Sequence, residues 1–387
     1  MASIVLLVVG VAGAIGRPRG APAWLVPTVA AAVGLILGTA PHPNSLLRPL
    51  AAPIAFLLVA VPLAALLDRL GFFAAAAEVF GRGRHLALGL WVLGALVTTI
   101  LNLDAAVVLL TPLYVRIARR CGLDPLALAF QPVLLSCLAS SALPVSNLTN
   151  LIAASVRHLH ATDFLAHLGP PSVAATVIGW FAYRAAVRPG IPAQPETGQP
   201  DRRALVTGGA VVAALLVGFV VGPSHGLPEW AIALAADAVL VALTRHLPLA
   251  DIPWDTALVA GSLGLLAGAA ASHLHLTPVF AGGGNLDLLR ITGASAVGAN
   301  AVNNLPALLV ALPRTGAGIW ALLIGVNIGP LVLITGTLAA LLWQASLRRL
   351  DVHVGAAQFA RVGARVMAPA LMAAFLVLIA LRPLVGG

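Results

Sequence analysis

Most of the chain is a succession of apolar stretches, at 22–39, 51–67, 165–186, 205–222, 230–245, 255–272 and 362–382, with a shorter one at 2–16. Each is long and apolar enough to be read as a helix that crosses a bilayer. Four polar clusters break this pattern: NLDAA at 102–106, SSALPVSNLTN at 140–150, NAVNNLP at 300–306 and NIGPLVLITGT at 327–337. Residues 86–120 decide how the breaks are used. A single helix over them would run roughly 52 Å, well beyond a hydrocarbon core of about 30 Å. Arg82 and Arg84 precede the stretch and Arg116, Arg119 and Arg120 close it, so the positive-inside rule puts both ends on the cytoplasmic side. The stretch must fold back, as a re-entrant hairpin with its tip at Asn102–Ala106. Such non-helical backbone is tolerated at membrane depth only inside protein or beside a watery cavity.

Residues 126–157 then read as a helix broken around Pro144, and 165–186 as a return span. The Pro-rich polar stretch 188–203 divides the chain nearly in half, and beyond it the order recurs: a second hairpin at 289–315 and a second broken helix at 316–347. The loss of an N–H and the steric clash at Pro144 and at Gly329-Pro330 account for the breaks. With this topology 17 arginines lie on the cytoplasmic side and five (Arg48, Arg157, Arg290, Arg314, Arg382) outside, as do both termini. The fold class that follows is an all-α polytopic membrane protein with an inverted-topology repeat, two re-entrant helical hairpins and two broken helices. Its parts are a first repeat at 1–188, a cytoplasmic linker at 189–204 and a second repeat at 205–387. The letters agree weakly: NLDAAVVLLTP (102–112) overlays NNLPALLVALP (303–313) at an offset of 201, and SNLTNL (146–151) overlays GTLAAL (336–341) at 190. Residues 68–85, with charged ends and Phe72, Phe73 and Phe80, have no room to cross again and read as an interfacial arm helix.

Composition narrows the function classes. With 60% hydrophobic and 9% charged residues and a mean hydropathy of +1.00, the chain has no domain on which its net charge of +9 could form a nucleic-acid face. All 22 cations are arginine, so a phosphate loop, which needs lysine, is excluded. Two cysteines, Cys121 and Cys137, are too few for a disulfide framework or a zinc site. The first 16 residues lack a basic leader and a cleavage site and read as a retained span. An embedded enzyme would need a nucleophile with its base or a metal cluster, and no HExxH pair occurs; no catalytic residue and no cofactor is expected.

At a hairpin tip one half-helix ends and another begins, leaving backbone groups unpaired. Asn102 and Asp104 at the first tip, and Asn303 and Asn304 at the second, can cap those ends or contact a solute. Asp104 is the sharper candidate, since an intramembrane carboxylate is costly and usually serves an ion or proton path; we expect it to take up and lose a proton during transport. The broken helices supply Ser140, Ser141, Ser146, Asn147, Thr149 and Asn150, with Asn327, Thr335 and Thr337, as a neutral polar pocket. Asp237, in an unbroken span, reads as a buried structural hydrogen-bonding group, Cys137 as a packing residue, and the histidines at 158, 160 and 167 as interfacial.

The runs LLDRLGFF (66–73), NLDAAVVLLTP, LPVSNLTNL (143–151), VNNLPALLV (302–310) and LITGTLAALLW (333–343) together resemble the ion transporter superfamily, and within it the ArsB/NhaD-type permeases of arsenite and antimonite. The resemblance implies a scaffold and a mobile transport domain that carries both hairpins in an elevator-like movement. It implies site positions at Asn102, Asp104, Ser146, Asn147, Asn150, Asn303, Asn304 and Thr337, with H⁺, or alternatively Na⁺, as the coupling ion. The chain departs from the arsenite permeases in having Leu103 between Asn102 and Asp104, and from the dicarboxylate and sulfate branch in lacking its Ser-Asn-Thr tips. Arsenous acid is a neutral trihydroxy species near neutral pH, which suits a pocket of amides and hydroxyls. The function implied is proton-coupled arsenite/antimonite efflux across a bacterial cytoplasmic membrane. The alternatives are a Na⁺/H⁺ antiporter and a Na⁺-coupled symporter of small anions. The lipid bilayer and a small inorganic solute are the expected partners; candidate protein partners are a second copy in a homodimer and an arsenite-stimulated ATPase, with which arsenite permeases can work.

Overall fold

The computed structural model describes residues 1–40, 42–80, 85–190, 200–271 and 273–385. Among them every regular element is helical. The first half contains α1 (Ala2–Gly16), α2 (Leu25–Ile36), α3 (Pro43–Arg69), α4 (Phe72–Phe80), α5 (Leu86–Ile100), α6 (Leu103–Arg120), α7 (Pro125–Leu138), α8 (Leu148–Arg157), α9 (Ala161–His167) and α10 (Gly169–Val187). The second contains α11 (Arg202–Val221), α12 (Glu229–Thr244), α13 (Trp254–Ala271), α14 (Thr277–Phe280), α15 (Asn285–Val302), α16 (Asn304–Ala311), α17 (Ile319–Ile328), α18 (Leu338–Arg349) and α19 (Ala356–Val385). Of the linker 189–204, residues 191–199 lie outside the described residues, as do Arg82 and Arg84.

Four stretches, Pro43–Arg69, Arg202–Val221, Leu249–Ala271 and Ala356–Pro383, are each long and apolar enough to cross a bilayer; α9 and α10 make a fifth if their 51° bend is part of one span. Three expectations need correction. The stretches 22–39 and 230–245 form helices of only 12 and 16 residues, because Pro22 precedes α2, Gly38 at φ +67° follows it, and Pro228 and left-handed Arg245 bound α12. At 1.5 Å per residue neither covers a 30 Å core alone. Helix α3 begins at Pro43, before the apolar stretch from 51; Pro at its first position is compatible with helix, and Pro49, Pro53 and Pro62 are carried inside it. The final helix α19 likewise starts at 356, six positions before its apolar run.

The fold-back of 86–120 is explicit. Tyr114 on α6 donates its hydroxyl to the carbonyl of Leu90 on α5 (2.5 Å), and a Cβ at Gly94 would lie 3.2 Å from the Tyr114 hydroxyl and 3.8 Å from Leu110. These pairs are symmetric about residue 102, so α5 and α6 are antiparallel arms. Gly298 on α15 faces Ala307 on α16 in the same way. The expected arm is seen as α4, packed on α5 and α11.

Packing repeats with the elements. Helix α3 lies on α12 and α13 on α2; α6 lies on α18 and α16 on α8; α10 runs along α19. The halves therefore interlock. Arginines close these pairings at their ends: Arg119 in the last turn of α6 donates to the carbonyl of Leu350 after α18 (2.5 Å), and Arg157 at the end of α8 donates to Leu312 (2.8 Å) and Thr315 after α16. A pentapeptide, GPSHG at 222–226, fits the letters of the G-x-S-x-G hydrolase pattern, but it forms a single 3₁₀ turn between α11 and α12, without the strand that a nucleophile elbow needs.

Candidate functional site

The two hairpin tips and the two helix breaks are built alike. Asn102 is extended and its Oδ1 accepts from the Asp104 N–H (2.8 Å), capping α6; Asn303 caps α16 by accepting from Leu305 (3.3 Å). Asn303 does so at φ +80°, ψ 152°, outside the left-handed helical region and where residues other than glycine are strained. The breaks cover 139–147 and 329–337, each with a 3₁₀ turn (Pro144–Ser146, Ile334–Gly336), and each ends on an extended capping residue. Asn147 accepts from Thr149 (3.1 Å) and Thr337 from Ala340 (3.0 Å). Every boundary of the second break is that of the first moved by 190 positions, and α16 starts 201 positions after α6.

Tip and break are tied together identically in both halves. The Asn102 amide donates to the carbonyl of Val145 (3.4 Å), and the Asn303 amide to that of Thr335 (3.1 Å). One turn earlier on the first arm, Thr99 donates to Ala139 (2.8 Å), and Asn300 to Gly329 (2.8 Å). Asn300 also accepts from the Val332 and Leu333 N–H groups (3.2 and 3.0 Å). These braces satisfy backbone groups that the breaks would otherwise leave unpaired at depth. Sequence reasoning missed Thr99 and Asn300; their signal was that they hold equivalent positions at the offset of 201.

The first break surrounds Asn327 of α17. The Asn327 Oδ1 accepts from the Asn147 amide (3.1 Å) and the Thr149 hydroxyl (2.7 Å), and its Nδ2 donates to Ser141 (3.3 Å) and to Asn150 Oδ1 (2.8 Å). Asn150 donates back to the carbonyls of Ser140 (2.9 Å) and Leu143 (3.0 Å), which the Ser146 hydroxyl also reaches (3.0 and 2.6 Å). All of these residues are buried. Ser146, Asn147 and Asn150, expected as solute contacts, thus have partners within the protein: Ser146 closes the break on itself, and Asn147 and Asn150 hold it to α17. Their polar atoms saturate one another across two elements that pack in the core.

Asp104 stands apart. It is the second residue of α6, retains 7% exposure, and its Oδ1 has no hydrogen-bond partner. Its carboxyl does not cap; Asn102 does. Instead it lines a cavity of about 390 Å³ together with Leu57 and Val61 of α3, Leu342 of α18 and residues 250–256 before and in α13. Among the described residues it is the one predicted site residue that combines a buried oxygen lacking a partner with a place in this cavity's lining. Asn304 is buried at the start of α16 beside Asn303, and Thr337 is occupied as a cap. The structure therefore gathers Asn102, Ser146, Asn147 and Asn150 at one tip-and-break junction and Asn303 and Thr337 at the other, with Asp104 opening from the first into the cavity. Asp237 on α12 is buried, yet its Oδ1 lacks the structural hydrogen bond expected for it. Cys137 packs in the core as expected, and His167 stacks on Trp320 at 4.4 Å.

Comparison with known proteins agrees with this architecture. The citrate transporter family model matches residues 4–325. The arsenical pump membrane protein of Yersinia enterocolitica is 29% identical over 407 residues, covering 92% of this chain and 93% of the relative, and that of Escherichia coli strain K12 is 28% identical over 408 residues with the same coverage. Another arsenical pump membrane protein of Escherichia coli is 30% identical over 348 residues, covering 79% of this chain and 81% of the relative. Apolar helices of spanning length and these bacterial relatives make this a multi-pass protein of the bacterial inner membrane. Matched over most of its length, and with the arsenical pump membrane proteins among its relatives, the chain belongs to the citrate transporter family of membrane transporters.

Proposed function

We propose that this transporter is a proton-coupled antiporter that extrudes arsenite or antimonite by an elevator-like alternating access, with no cofactor beyond its coupling ion. The observation that carries the reading is Asp104: a buried carboxylate with an unpartnered oxygen, held at a hairpin tip against a cavity. A carboxylate so placed costs free energy unless it is used, and protonation is the change that relieves it. The matched tips and breaks support two repeats of opposite orientation, with both hairpins re-entrant. Arg17 and Arg245 flank the cavity's end of the molecule, so the positive-inside rule makes this an inward-facing arrangement. In the cycle, Asp104 takes a proton outside, the hairpins move with their broken helices, and the proton leaves through the cavity as solute loads. Of the junction amides, Asn102 and Asn303 are engaged in caps and braces, which leaves Asn304 as the amide to supply donors and acceptors for a neutral trihydroxy solute, while no described cation lines the cavity. Na⁺ is the second reading for the coupling ion, favoured by the same carboxylate. A homodimer and an arsenite-stimulated ATPase as partner are further parts of the proposal.

The test is flux in everted vesicles, with arsenite, citrate and Na⁺ offered under imposed pH and sodium gradients. Arsenite uptake driven by an acid-inside pH gradient is expected. Arsenite movement driven only by sodium, or citrate movement in place of arsenite, would refute the reading.

A further inference from the structure

The cavity over Asp104 has two more carboxylates in its wall: Asp251, half-buried in the turn before α13, and Asp255 in the first turn of that helix. Neither forms an ion pair among the described residues. Among the described residues no arginine or histidine lines the cavity, and α3 and α18 contribute only Leu57, Val61 and Leu342. Arg17 lines a smaller adjoining cavity of about 140 Å³ that shares Asp255, Thr256 and Leu342, so one cation stands near the mouth without entering. Arg245 and His246 lie on the same connection outside the lining. An acidic rim alone would be an ordinary solvated surface. Here the same lining includes Asp104, more than nine-tenths buried and with a buried oxygen lacking any partner.

We infer that Asp251 and Asp255 make this cavity an anion-excluding vestibule, admitting protons, small cations and neutral hydroxylated solutes to Asp104 and rejecting polycarboxylates. A cavity of about 390 Å³ is no wider than a Debye length of about 8–10 Å at moderate salt, so both carboxylates act together on whatever enters, and more weakly as added salt shortens that length. An incoming citrate would bring three negative charges to a wall that offers it no cation. The vestibule deepens the transport reading and rests on it for the identity of what passes. It also separates this chain's selectivity from the substrate that gives its family its name.

The test uses Thr256→Cys in a chain whose buried Cys121 and Cys137 are replaced by alanine, in everted vesicles, with two membrane-impermeant methanethiosulfonates of similar size. One carries a trimethylammonium and the other a sulfonate. The ratio of cationic to anionic modification rate should fall about tenfold when Asp251→Asn and Asp255→Asn are combined, and should fall with rising salt only while the carboxylates are present. If Thr256→Cys does not fold, Leu342→Cys reports on the same cavity. An unchanged ratio in the double variant, or no reaction with either reagent in folded protein, overturns the vestibule. Because the readout is chemical modification, it stands even if proton-driven arsenite flux fails, and that failure would refute only the transport reading.

Discussion

Replacing Asn327 by alanine removes four hydrogen bonds at once, two accepted by its Oδ1 and two donated by its Nδ2. The consequences differ among its partners. The Asn147 amide keeps Ser140 Oγ at 3.4 Å, whereas the Thr149 hydroxyl, the Ser141 hydroxyl and Asn150 Oδ1 lose the only side-chain partner the structure gives them. Intramembrane hydrogen bonds average about 0.6 kcal/mol with a maximum near 1.7. Four of them, three with partners left unsatisfied in the core, should therefore cost about 3 kcal/mol. Reversible unfolding of the purified protein in mixed micelles reads this as a shift in unfolding free energy. A cycle with Thr149→Val isolates the 2.7 Å bond and should return a coupling of about 1 kcal/mol. Asn327→Asp is a sharper control, for a carboxylate cannot donate to Asn150 Oδ1 and meets it with like polarity. It should be at least as destabilising as alanine. Stability of Asn327→Ala within about 0.5 kcal/mol of the parent would show that the break is not held by this side chain and would return Asn147 and Asn150 to the solute.

Other parts of the scaffold give independent checks. Asn300→Ala should raise amide hydrogen exchange at Val332 and Leu333, which lose their acceptor, with about 1–2 kcal/mol of destabilisation; unchanged protection there would contradict the brace. Gly325→Ala places a methyl against the Ser295 side chain and the Thr292 carbonyl where α15 crosses α17, and a backbone atom cannot rotate away, so a loss of about 1–3 kcal/mol is expected in thermal unfolding. Trp343→Phe removes the indole donor to the Ala129 carbonyl (2.6 Å) but preserves stacking on Phe130 and Phe359, and should cost about 1 kcal/mol; a neutral result would assign that tryptophan to packing alone.

The breaks and fold-backs were legible in the chain because they rest on local chemistry. Asn, Pro and Gly punctuate helices wherever they stand, and a 35-residue apolar run closed by arginines at both ends has few geometries open to it. The capping roles of Asn102 and Asn303 and both offsets emerge in the structure as the letters suggest. What each polar side chain does was not legible. Asn327 and Asn147 look equally available to a solute in the sequence, and only the approach of α17 to α8 turns them toward each other. Asp251 and Asp255 do not stand out in the sequence, since nothing in their neighbourhood announces a shared cavity with a helix almost 150 positions earlier. Hydropathy also misplaced helix ends. It scores the side chains of HPNSLLRP as loop, while Pro43 and its successors are sterically welcome in a first turn.

The central claim is that Asp104 carries the proton that drives the solute. Proteoliposomes with Asp104→Asn should fail to concentrate arsenite under an imposed pH gradient yet still exchange labelled for unlabelled arsenite across the membrane, since the solute path is intact and only the proton carrier is gone. An Asp104→Asn protein that concentrates arsenite under the pH gradient as well as the parent does would contradict the account.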